Sequence, residues 1–457
     1  MKSILRISMI CMLMLGIAIS LDSNTTSAQP PKTKFNGYRS GVQVANLENS
    51  EANITLTGYK EDGTQEEGSN DTIPPNGSKT YVGARTPLPV SDDFSGAIII
   101  SSNTQTAAIS NILDSGANAY ASYVGRSAGA ETIYLPLLTK NFGGFTTWYS
   151  VQNAGGSPAE ITITYSDGIE RTETIQPSFA QVFYQSEEDH ANGAFAATIT
   201  SNQPIIAAVI QESDKIIFSY TGFTGGTPNP VFPLVNQNNG GYRTGLQIQN
   251  IGTEETSVTL EYVPGRAGTA CEETATIAPG ASATFALRAF QGLADDLRHG
   301  GSTTCIKERF VGSAQVKTNS ANQDLVGIGN QLLPGINGEA YGSFSADDAT
   351  NVVVMPLIMD RRGGFNTGIA IQHVGGPESS VTCTFSDEGT ASDIVDTLAP
   401  GDSFTAGQRN KIEEGFAGSG VCTADNTSTK IVAVVNQVKA STTQDLFLVY
   451  EGAAVSN

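Results

Sequence analysis

The stretch Gly363-Gly364-Phe365-Asn366-Thr367-Gly368-Ile369-Ala370-Ile371-Gln372-His373 decides the architecture, because it recurs. Upstream it reads Gly240-Gly241-Tyr242-Arg243-Thr244-Gly245-Leu246-Gln247-Ile248-Gln249-Asn250, and before that Gly143-Gly144-Phe145-Thr146-Thr147-Trp148-Tyr149-Ser150-Val151-Gln152-Asn153. The first copy is Asn36-Gly37-Tyr38-Arg39-Ser40-Gly41-Val42-Gln43-Val44-Ala45-Asn46. Apolar and polar residues alternate after the aromatic residue, as in a strand with one buried face. The aromatic anchors Tyr38, Phe145, Tyr242 and Phe365 are separated by 107, 97 and 123 residues. Such periods are too long for propeller blades of roughly 40–50 residues and suit sandwiches of about 100.

The same succession of signals follows each signature. An alternating strand comes first, as in Ile161-Thr162-Ile163-Thr164-Tyr165 and Val381-Thr382-Cys383-Thr384-Phe385. It runs into a tight turn at Asp62-Gly63, Asp167-Gly168, Pro264-Gly265 or Asp387-Glu388-Gly389, where glycine takes the positive φ a hairpin requires. A proline-centred turn at Pro74, Pro177, Pro279 and Pro400 feeds another strand, and two more strands close the unit. The last of these ends on an amide in each copy, Asn111, Gln211, Asn330 and Asn436. Six or seven strands per copy are expected, with one or two helical turns at most, over residues 289–297.

Between copies lie Tyr134-Leu135-Pro136-Leu137-Leu138, Val231-Phe232-Pro233-Leu234-Val235 and Met355-Pro356-Leu357-Ile358. Proline cannot donate to a central ladder, so these predict edge strands or domain-joining segments. Four units share three such segments. If the segment opens a unit, the first unit lacks it, with Gln29-Pro30-Pro31-Lys32 in its place; if it closes a unit, the last lacks it. A terminal sandwich with an unfinished edge invites pairing with another chain. Linkers like Leu135-Pro136-Leu137 and strands like Val151-Gln152-Asn153 resemble arrays of β-sandwich domains in secreted bacterial surface proteins. That resemblance covers nearly the whole chain and implies export and a scaffold role; it carries no catalytic residue across.

The N-terminus reads as a secretory signal: Lys2 and Arg6 precede an apolar run over residues 7–19, and small residues follow. Thr26-Ser27-Ala28 and Ala18-Ile19-Ser20 are the candidate cleavage sites, with an uncleaved anchor as the competing reading. The run is short for a membrane span, which needs roughly 20 residues. No later segment is apolar enough to cross a bilayer. Over 457 residues the net charge is −20. The first 28 residues carry two cations and one anion, so the remainder is more negative by one charge. An acidic surface repels nucleic acid and anionic lipid.

Beyond Cys11, in the leader, four cysteines remain. Pairing within units predicts Cys271–Cys305, stapling an insert, and Cys383–Cys422, whose register places both inward, tying the two sheets together. No CxxC spacing points to metal. The three histidines, His190, His299 and His373, form no catalytic constellation, and His373 stands where other copies have Asn46, Asn153 and Asn250. No GxSxG elbow, HExxH helix or P-loop occurs. Glu187-Glu188-Asp189 and Asp347-Asp348 are acidic enough for Ca²⁺ but lack a regular loop spacing. Trp148, the only tryptophan, replaces a glycine of the other copies; core packing or an inter-domain contact is its expected role, with a glycan platform formed together with Tyr149 as the alternative. N-x-Ser/Thr triplets mark Asn24, Asn53, Asn70, Asn76 and Asn426 for glycosylation.

The sequence therefore predicts an all-β chain of four tandem antiparallel, immunoglobulin-like β-sandwiches: a signal peptide over 1–28, then repeats over 29–126, 127–226, 227–347 and 348–457. It predicts an exported, non-enzymatic protein without cofactor, structural, adhesive or self-assembling. Its expected partners are other copies of itself or cell-surface material, with a polysaccharide-binding array as the alternative.

Overall fold

The computed structural model describes residues 7–11, 33–35, 37–66, 68–82, 88, 90–91, 94–116, 118–286, 309–319, 323–385, 393–409 and 411–455. Among these every regular element is a strand, all ladders are antiparallel, and no helix is long and apolar enough to cross a membrane. Residues 289–297 lie outside the described residues.

The second repeat shows the unit most clearly. One sheet runs, in order, Glu170–Ile175, Ala159–Tyr165, the first half of Gly193–Glu212, and Ala130–Lys140. The facing sheet runs Ala180–Tyr184, Thr146–Asn153, the second half of Gly193–Glu212, and Ile217–Thr221. Ile161, Ile163 and Tyr165 point inward from the first sheet and Tyr149, Val151 and Val209 from the second, so alternation in sequence becomes a core. The third and fourth repeats repeat this order strand for strand. Each unit thus has eight strand positions rather than six or seven. The undercount came from the proline-bearing segment and the final strand, which belong to the sandwich itself.

The proline-bearing segment opens the unit, as Ala130–Lys140, Val231–Asn239 and Val352–Arg362. A Gly-Gly hairpin then leads into the signature strand, with both glycines at positive φ (59° and 86° at Gly143 and Gly144). In each opening strand the ladder slips at the proline: between Leu135 and Leu138, between Phe232 and Val235, and between Met355 and Ile358. The bulge turns the following leucine carbonyl toward the facing sheet, where a tyrosine hydroxyl donates to it. Tyr220 reaches Leu137 O at 2.7 Å and Tyr341 reaches Leu234 O at 2.6 Å, and Tyr450 donates to Leu357 O in the same way. A buried carbonyl freed from the ladder is thereby satisfied.

In the first unit the corresponding edge, Gly96–Ser102, pairs with the N-terminal segment Ile7–Cys11 in an unbroken ladder from Ile7↔Ser102 to Cys11↔Ile98.

The units do not lie end to end. Their closing strands, Tyr120–Val124, Ile217–Thr221, Asn337–Gly342 and Phe447–Glu451, pack each against the next, and the last packs against the first. A parallel bridge between Ala119 and Asp445 completes the circuit. Every interface uses the same element: the penultimate strand of one unit packs on the preceding unit through Ala208 and Ile210, Val326 and Ile328, Val434, or Ile109. The array is a ring, so the free ends implied by tandem repetition are replaced by a junction between the first and fourth units. There Ala45, Leu47 and Ala107 meet Val354, Val421 and Ala453.

The candidate functional site on the ring axis

Each closing strand is the edge of its sheet, so its outer N–H and C=O groups need partners that no ladder supplies. On the axis these partners are side chains of neighbouring units. Glu339, fully buried, accepts hydrogen bonds from Ser122 N (2.9 Å) and Ala340 N (2.8 Å) and also from Ser219 N. Asp445, also fully buried, accepts from Ile217 N at 3.0 Å and Gly338 N at 3.1 Å. Glu451 accepts from Gly342 N. Hydroxyls answer the carbonyls: Ser122 Oγ donates to Val449 O, Ser219 Oγ to Ser122 O and Thr221 Oγ1 to Val124 O, at 2.7–2.9 Å. Burial pushes the Glu339, Asp445 and Glu451 carboxyls up, against the pull of the N–H groups that bind them.

Beyond Glu451 the axis opens into a cavity of about 920 Å³ to which all four units contribute. Arg126, Phe223, Asp348 and Glu451 line it. The Arg126 guanidinium donates to Gly222 O at 3.3 Å. Burial lowers its pKa while the nearby Glu451 and Asp348 carboxylates oppose the shift.

No protein-family model matches the chain, and no curated protein matches it either.

Of the residues singled out in the sequence, Asp348 lines this cavity, whereas Trp148, Tyr149, His190 and His373 do not. Trp148 and Tyr149 are 4% and 0% exposed. Trp148 sits between the first two units, 5.4 Å from the Tyr38 ring, and Tyr149 stacks on Phe183 in its own core. Neither presents a face to a glycan. Packing, the expected role, accounts for both and leaves no glycan platform, because both faces of this strand are covered, one by the sandwich core and the other by the first unit. His373 does the work of the asparagines it replaces: Asn153 Nδ2 and Asn250 Nδ2 donate to the carbonyl four residues on, at 2.8 and 2.7 Å, and His373 Nε2 bonds Pro377 O at 2.8 Å. His190 is buried against Tyr165 and Phe195, with Nδ1 at 2.6 Å from Asp167 Oδ2 in the hairpin turn. His299 lies outside the described residues. In the acidic cluster, Glu188 pairs with Arg171. Among the described residues no three His, Cys, Asp or Glu side chains converge as metal ligands would.

Cys383 and Cys422 form a disulfide and are direct partners on neighbouring strands, Ser379–Phe385 and Phe416–Ala424. The bridge lies within one sheet and does not tie two together: both cysteines point inward as expected, but their strands are neighbours. Cys271 is disulfide-bonded, and Cys305 lies outside the described residues. The sequon residues Asn53, Asn70, Asn76 and Asn426 are all exposed, while Asn24 lies outside the described residues.

A fourth buried carboxylate clasps the first two units beside Trp148. Glu212 accepts from Lys34 N at 2.8 Å and from the Tyr38 hydroxyl, and burial pushes its pKa up to about 7. Its folded pKa exceeds its unfolded one, so its contribution is full below the unfolded value of about 4.3 and is lost as pH rises to about 7. The loss is on the order of 4 kcal/mol at most. Melting temperatures of the wild type should therefore fall between pH 4.5 and pH 8 by more than those of Glu212→Gln, which keeps an acceptor for Lys34 N. Parallel pH profiles would dismiss this reading.

Proposed function

We propose that this chain is an exported, non-enzymatic structural protein that serves at the cell surface as a rigid assembly or adhesion unit. The observation that carries the reading is the closed ring: buried side chains cross-link the edge strands of all four sandwiches, so the repeats form one stiff body. Rigid interlocking suits a scaffold that holds its outer turns at fixed spacing. The disulfide between Cys383 and Cys422 fits an oxidising compartment. Exposure of the four sequon residues fits a surface open to glycosylation.

The test is accessibility on the intact cell. A membrane-impermeant amine-reactive biotin reagent should label the protein on whole cells, and the recovered chain should begin after Ala28. Protection from the reagent until cells are lysed would overturn the surface assignment.

A further inference from the structure

The leader strand marks a place where another strand belongs. In the second, third and fourth units the sheet edge beside Gly193–Glu212, Phe310–Thr318 and Phe416–Ala424 is covered by the unit's own proline-bearing opening strand. In the first unit the same edge, Gly96–Ser102, is covered by Ile7–Cys11, which export would remove. The mature first sheet would then end on Gly-Ala-Ile-Ile-Ile-Ser-Ser.

That edge is unlike the others the molecule shows to solvent. At the opposite side of the same sheet, Ser69–Ile73, Glu170–Ile175, Cys271–Ile277 and Ile394–Leu398 each carry a carboxylate, such as Asp71, Glu170, Glu272 and Asp396. The edges of the facing sheet, Ser78–Tyr81, Ala180–Tyr184, Ser282–Ala286 and Ser403–Gly407, are only four or five residues long. Charge, brevity and proline are the usual guards against edge-to-edge pairing. Gly96–Ser102 has seven residues and neither charge nor proline.

We infer that this edge is an interface between two copies of the mature chain. A second copy offers the identical uncharged edge, whereas its C-terminal segment is engaged, with Ala453 and Ala454 paired to Val354 and Val353 of their own unit. Two Gly96–Ser102 strands run antiparallel about a two-fold axis at Ile99, which sets Ile98 of each opposite Ile100 of the other. The two sheets become one, continuous through the dimer, and every outward N–H and C=O of the edge is paired. Because the contact uses the same patch on both copies it closes as a dimer; a filament would need a second, different interface.

This inference rests on the export proposed above, and the two can fail separately. Protein secreted by an exporting host is checked by N-terminal sequencing, then by sedimentation velocity. Cleaved wild type should sediment as a dimer. Ile99→Lys, which opposes two ammonium groups on the axis, should weaken association roughly 100-fold without moving the melting temperature. A synthetic peptide of residues 5–13 should bind one per chain and convert dimer to monomer. An uncleaved leader would overturn the export reading and this inference with it. A cleaved chain that sediments as a monomer, or a folded Ile99→Lys protein that remains dimeric, would overturn this inference alone.

Discussion

Glu339→Ala should lower the stability of the ring by about 3–5 kcal/mol, read as a fall in the thermal or urea midpoint. The carboxylate accepts from Ser122 N, Ser219 N and Ala340 N, and the first two belong to other units. Alanine leaves these buried donors unpaired, and each orphaned donor costs about 1–3 kcal/mol. Glu339→Gln keeps one acceptor but turns an amide N–H toward the other donors, so its loss should be smaller and not zero. An unchanged midpoint for the alanine variant would mean that water reaches the axis and that the carboxylate is dispensable.

Trp148→Ala should cost a similar amount, about 3–5 kcal/mol, because a large side chain leaves a packed site that cannot collapse around it. Trp148 contacts Tyr38 from the first unit and Tyr184 from its own. The damage should fall on the junction between these units: far-UV circular dichroism of the folded state should be retained while the transition moves down or splits in two. A variant that melts with the wild type would return Trp148 to a surface role.

The repeat unit was legible because its signals are local. Alternation in Ile161-Thr162-Ile163, glycine pairs at the hairpin and an asparagine at a fixed offset each report on a few neighbouring residues. Even the exchange of Asn for His at 373 could be read, since both side chains can donate to the same carbonyl. The ring could not be read this way. Its closure depends on which side chains meet across hundreds of residues, and a tandem period is equally compatible with a string. One local signal does point to it. Closing strands built of apolar residues carry single acids, Glu339 and Glu451, beside recurring tyrosines at 123, 220, 341 and 450. A carboxylate inside an apolar strand needs a donor, and here the donors are the edges of other units. Packing or an inter-domain contact is the role the sequence favours for Trp148, and its strand is covered on both sides.

Ring closure also sets the order in which the molecule can be finished. Ser122 N finds its acceptor, Glu339, 217 residues later in the chain, and Ser122 Oγ finds Val449 O 327 residues later. A chain synthesised from its N-terminus delivers the first closing strand long before either partner emerges. Until the fourth sandwich is complete, the side of the first closing strand that faces it stays unsealed, open to proteases and to mispairing. Contacts so distant in sequence are slow to form, since the intervening chain must be ordered before they are made. A nascent molecule halted after three units should therefore be digested at a site that the finished one hides.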